Sequence, residues 1–207
     1  MKGLIQKDIY LMLRYSRMIL LITLIFTCVP IFAGQDSAFF MFYPFAIAPM
    51  LPVSVISYDE RDKWNGYCGT LPVTRADYVS GKYICGLLLL LLLLIVSAVS
   101  QAIVAVRAGS FSVGSYLGTM ATLVLIGCAA PGFALPFMFK LGVEKGRIAY
   151  YIIIGVFCAL AVWLPNDEQF SQGGIGGASP LLVLAGAALL YAVSWLLSVR
   201  FYEKREL

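Results

Sequence analysis

Histidine is absent from the 207 residues. That excludes Ser-His and Cys-His nucleophilic catalysis and every imidazole-ligated metal. Charge is scarce as well: 13% of the residues are Asp, Glu, Lys or Arg, against roughly 25% in soluble domains. There is no G-x-x-x-x-G-K-[ST] phosphate loop, so the chain does not bind ATP in that manner by itself. The five cysteines (Cys28, Cys68, Cys85, Cys128, Cys158) form no CxxC pair, which implies neither a disulfide framework nor a zinc site. No metal site is expected.

The charges that exist are unevenly placed. Six stretches, 18–34, 38–57, 83–106, 115–139, 148–164 and 180–199, contain no Asp, Glu, Lys or Arg. At about 1.5 Å rise per residue, a hydrocarbon core of ~30 Å takes roughly 20 apolar residues, and each stretch approaches that length. The expected fold is all-α and integral to the membrane: six transmembrane helices in a single domain, 1–207. The first span reads as uncleaved, because the charged region before it is itself an amphipathic helix. Fourteen of the 15 basic residues lie before span one, after spans two and four, or in the tail. With six spans these segments share one side, which the positive-inside rule makes cytoplasmic, both termini included. The formal charge of +4 is thus a topology signal, and no nucleic-acid partner is expected, since no soluble basic face exists to meet one.

Residues 3–17 read as an interfacial helix. Ile5, Ile9, Met12 and Leu13 take one face; Lys7, Tyr10, Arg14 and Arg17 take another. Span two carries Pro44, Pro49 and Pro52, and Pro131 and Pro136 break the lower half of span four. Proline removes a helical hydrogen bond, so these positions are kinks that serve either packing or transport. In span three, Ser97, Ser100 and Gln101 share a face that suits a neighbouring helix or a conduit wall. Gly114 and Gly118 make one weak GxxxG. The spans hold no carboxylate or imidazole for a proton relay, which disfavours a proton-driven carrier; a sodium site built from carbonyls stays open. The missing acid/base groups also argue against a membrane-embedded enzyme.

The loop 58–82 is the longest segment on the basic side. Asp59, Glu60, Arg61, Asp62, Lys63, Trp64 and Tyr67 suit a short helix, with Asp59 and Lys63 paired at i, i+4. This segment is either a docking helix, being rich in hot-spot residue types, or a loop resting in the interfacial aromatic belt. Thr74 with Asp77 forms a capping-box pattern opening span three. Ser179-Pro180 is an N-cap followed by proline, opening span six.

At these residues the chain resembles the type-two ABC exporter permeases. The likeness rests on Asp59-Glu-Arg-Asp-Lys-Trp64, Tyr67, Thr70-Leu-Pro-Val-Thr-Arg75, Tyr78-Val79 and Gly81-Lys82-Tyr83. The opening Met1-Lys-Gly-Leu-Ile-Gln-Lys-Asp8 and the stretch Phe139 to Arg147 agree with it. The resemblance implies an elbow helix at 3–17 and a coupling helix at about 59–68 seated in a separate cytoplasmic ATPase subunit. It implies a second contact at 140–147, through Gly142, Glu144, Lys145 and Arg147. ATP and Mg would be bound by the ATPase and not by this chain. The working unit would be two permeases with two ATPases in a bacterial plasma membrane. The nearest subgroup exports amphipathic peptides of the bacteriocin or phenol-soluble-modulin kind, so a peptide cargo is expected. The competing reading is a membrane immunity or scaffold protein that transports nothing.

Overall fold

A computed structural model describes residues 2–33, 38–47, 50–68, 74–107, 109, 112–146, 148, 151–152 and 179–203. Most of the expected fifth span (148–164) and of the loop 165–179 lies outside the described residues, as do the turn 34–37, Pro49, residues 70–73, Arg147 and the tail from 204 onward.

Among the described residues the secondary structure is helical, without strands. The helices are α1 (Lys2–Tyr15), α2 (Arg17–Ala33), α3 (Ala38–Ile47), α4 (Met50–Arg61), α5 (Trp64–Cys68), α6 (Arg75–Arg107), α7 (Val113–Leu141) and α8 (Pro180–Glu203). Four stretches are long and apolar enough to cross a membrane: 40–61, α6, α7 and α8. Helices α1 and α2 form a fifth candidate only as a bent pair, at 79° to one another. The described helices therefore account for four or five of the six expected crossings. Helix α2 has 17 residues, about 25 Å at 1.5 Å each, slightly short of the ~30 Å core.

Local chemistry sets the helix ends. Thr74 and Asp77 bond reciprocally, Asp77 N donating to Thr74 Oγ1 (3.1 Å) and Thr74 N to Asp77 Oδ2 (3.2 Å). This closed capping box starts α6. Ser112 caps α7, and Gly142 ends it at φ 82°, its N–H donating to Met138 O. A side chain at that φ would be strained, so glycine is required there. Ser16 sits at the α1–α2 bend, and the bonds Ser16 N to Met12 O and Leu20 N to Ser16 O carry the backbone through it.

Helix α6 is the hub and touches α1, α2, α3, α4, α7 and α8. Helices α7 and α8 pack along each other most extensively. The largest apolar core lies at the charged end of the bundle, around Tyr78, Val79, Phe139 and Tyr202. Tyr78 stacks on Tyr202 at 5.4 Å, and Phe139 meets Tyr202 edge-on at 5.5 Å.

The prolines interrupt less than expected. Helix α7 runs unbroken through Pro131 and Pro136. Pro136 has no N–H for the carbonyl of Gly132, and Ser194 Oγ of α8 donates to that oxygen at 2.6 Å instead. This is the repair a bilayer demands of a proline in a span. Pro44 lies inside α3. Pro52 sits in the first turn of α4, where an absent N–H breaks no helical bond. The weak Gly114–Gly118 pattern marks no close contact at its first glycine: Gly114 is exposed, and a Cβ added there would meet nothing within 4 Å. Close approaches occur at Gly127, facing Leu90 and Phe45, at Gly132, facing Leu190, and at Gly146, facing Met138.

Candidate functional site

Helix α1 divides otherwise than into the two expected faces: of its apolar face Met12 is buried, while Tyr10 and Arg14 of its polar face are exposed. Ile9 and Leu13 are exposed, whereas Leu4, Asp8, Met12 and Ser16 form the buried stripe at i, i+4, i+8 and i+12. The apolar face can meet lipid, and the polar residue is turned inward because a partner waits for it.

That partner is Lys82, two turns into α6 and 1% exposed. Its Nζ donates to Asp8 Oδ1 (2.7 Å) and to Asp59 Oδ2 (2.6 Å). Lys7 Nζ donates to Asp59 Oδ1 (2.7 Å) and lies 3.4 Å from Asp8 Oδ1. Tyr78 OH donates to Asp59 Oδ2 at 2.9 Å. Asp8 is 2% exposed and Asp59 3%. Two cations and two anions thus close a formally neutral cluster tying α1, α4 and α6 together. Neutrality and full pairing are what make such burial tolerable. The expected Asp59–Lys63 pair does not form. Asp59 is held by Lys7 and Lys82, while Lys63 is exposed at φ 52° in the turn that ends α4.

Asp59 therefore points inward, away from any docking surface. The rest of the expected docking segment divides by exposure. Arg61, Asp62, Lys63 and Tyr67 are exposed; Glu60 and Trp64 are half-buried. Trp64 packs on Tyr67 at 5.2 Å beneath Lys7 Nζ, which lies 4.2 Å from its ring centroid. The segment is not one helix over 59–68 but a helical hairpin, α4 and α5, broken at Asp62 and Lys63.

The second expected contact adjoins it. Glu60 Oε2 accepts the Val143 N–H at 3.0 Å. Gly142 is buried in the cap of α7, and Glu144 and Lys145 are exposed on the helical turn 143–146. One hydrogen bond thus joins the two segments into a single surface. Nearby, Arg75 Nη1 donates to the carbonyl of Glu203 (2.9 Å), capping the negative end of α8.

Ser97, Ser100 and Gln101 are buried. Ser97 Oγ donates to Leu94 O and Ser100 Oγ to Ser97 O, so both hydroxyls are used within their own helix. Gln101 Nε2 has no partner among the described residues. A second polar network went unread in the sequence: Tyr83 OH bonds Ser194 Oγ and Ser198 Oγ, each at 2.7 Å, linking α6 to α8. The i, i+4 serines of span six facing a proline-bearing span four were the available signal. Among the described residues no group of three or more Cys, Asp or Glu is placed to hold a metal.

No curated protein and no solved structure matches the chain significantly. A family model described as "ABC-2 family transporter protein" matches residues 3–203, almost the full length. The buried ion cluster, the exposed hairpin and the apolar helices are thus features of a chain that belongs to the ABC-2 family of transporter proteins.

Proposed function

We propose that this permease subunit works as an ATP-driven exporter of an amphipathic peptide, with the α4–α5 hairpin as its handle for a separate ATPase. Membership of the ABC-2 family gives the coarser part: a multi-pass membrane subunit whose transporter includes an ATPase. The observation that supports the hairpin as the handle is the Glu60–Val143 bond. It sets Arg61, Asp62, Lys63 and Tyr67 beside Glu144 and Lys145 on one exposed surface of mixed charge with an aromatic anchor. Mixed charge gives register and Tyr gives contact area, the usual ingredients of a specific interface. Asp59, fixed from behind, gives that surface a rigid footing.

In this reading the charged end faces the cytoplasm and α1 lies along the membrane surface as an elbow, consistent with its 79° bend from α2. ATP and Mg are bound by the ATPase. Two permeases and two ATPases form the unit, with the conduit between permeases. Apolar helix faces suit a peptide with a greasy side better than a sugar. Ser97, Ser100 and Gln101 are candidates for its polar contacts.

The test is affinity capture of the tagged permease from native membranes, with mass-spectrometric identification of bound P-loop ATPase. The double variant Arg61→Glu/Lys63→Glu is expected to abolish capture while leaving the permease at its usual membrane level. Undiminished capture by that variant refutes the docking surface. Absence of any ATPase from the wild-type sample points to the scaffold or immunity reading.

A further inference from the structure

We infer that Lys7 and Asp8 are positioning residues that clamp α1 to the hairpin, so that displacement of the hairpin moves α1 and the base of α6 as one block. The inference rests on the reading that the hairpin meets an ATPase. Asp59 lies two residues before the end of α4, and both its carboxylate oxygens are taken by groups from other helices: Lys7 of α1, and Lys82 and Tyr78 of α6. Asp8 returns the connection by accepting from Lys82. Asp8, Asp59 and Lys82 are all buried. If α4 and the base of α6 moved and left α1 behind, two buried ion pairs, Lys7–Asp59 and Lys82–Asp8, would break together, and no water is at hand to replace either partner.

The attachment of the hairpin toward α7 differs in kind. Val53 and Ile56 of α4 share an apolar core with Met138, Phe139 and Val143, and Glu60 accepts the Val143 N–H. Apolar packing is non-directional and tolerates sliding, whereas the buried ion pairs each hold one defined partner. Motion is therefore directed: the hairpin slides against the end of α7 and carries α1 and α6 with it. Trp64 adds to the clamp, because its ring lies under the Lys7 ammonium. Within α1 the two residues contribute one positive and one negative charge. Removing both leaves Lys82, Asp59 and Tyr78 still satisfied between α4 and α6.

The experiment is hydrogen–deuterium exchange on the permease–ATPase complex, nucleotide-free and trapped with Mg-ATP and vanadate. It compares wild type with Lys7→Gln/Asp8→Asn. In the wild type, trapping is expected to change exchange in the hairpin, α1 and the base of α6 together. In the variant the hairpin response persists and the α1 response is lost. A merely structural role would raise exchange in α1 in both nucleotide states and leave its response to trapping intact, which overturns the clamp. A wild-type α1 that ignores trapping while the hairpin responds overturns it as well. If the variant does not assemble, Lys7→Met/Asp59→Asn removes the direct α1–α4 pair with the charge balance and the Lys82–Asp8 pair retained, and the same comparison decides. A wild-type hairpin that itself fails to respond refutes the proposed function, a result distinct from loss of the α1 response alone.

Discussion

Replacing Lys82 by Met tests whether the ion cluster is as desolvated as its geometry implies. The substitution keeps chain length and apolar volume but removes the cation shared by Asp8 and Asp59. Two buried carboxylates then depend on Lys7, which reaches Asp59 at 2.7 Å and Asp8 at only 3.4 Å, and whose side chain is 22% exposed. Breaking a buried pair by deleting one partner typically costs about 3–5 kcal/mol. Because Lys7 still neutralises one carboxylate, the lower end, about 3 kcal/mol, is expected here. The companion change Asp8→Asn restores the balance of one cation to one anion. The double variant is expected to recover much of the loss, with a coupling energy on the order of 1–3 kcal/mol. Equilibrium unfolding in mixed detergent micelles, on the two single variants and the double, measures it. A Lys82→Met cost below about 1 kcal/mol, the range of solvent-exposed pairs, would refute the argument, as would strict additivity of the two changes.

Four further outcomes are expected. Ser194→Ala strands the Gly132 carbonyl and removes a partner of Tyr83 OH; the same unfolding assay should show a loss of about 1–3 kcal/mol, with Ser194→Thr milder. A Cβ at Gly127 would come within 2.7 Å of Leu90 Cδ1 and 3.1 Å of Phe45 Cδ1, so Gly127→Ala should destabilise by about 1–3 kcal/mol. Gly186→Ala, with nothing within 4 Å of its Cβ, should be neutral or stabilising by up to ~1 kcal/mol. Glu60→Gln weakens the acceptor for Val143 N without deleting it, and exchange at that amide should rise while ATPase capture persists.

Spans three, four and six were legible because the bilayer imposes a single rule, a run of about 20 residues free of charge. Helices α6, α7 and α8 each contain their expected run. The capping box at Thr74 and the Ser179-Pro180 start were also readable, since both depend on residues three or fewer positions apart. What escaped was long-range. Asp59 to Lys82 spans 23 positions and Asp8 to Lys82 spans 74, and no local pattern distinguishes these charges from their solvated neighbours. The i, i+4 spacing of Asp59 and Lys63 offered a plausible but wrong partner, because the helix breaks between them. In α1, periodicity grouped Met12 with Ile9 and Leu13, although Met12 is buried beside Asp8. It could not say that the side bearing Ile9 and Leu13 would be exposed and the Asp8 stripe buried, since in a membrane greasy surface needs no protein cover.

The hydroxyl that Ser194 lends to Gly132 gives α7 a joint whose freedom belongs to its neighbour. Bending at Pro136 bares an oxygen to hydrocarbon unless α8 follows. Tilting α8 alone would do the same. Neither helix can flex in private, so any rearrangement of this half of the bundle must be a paired stroke.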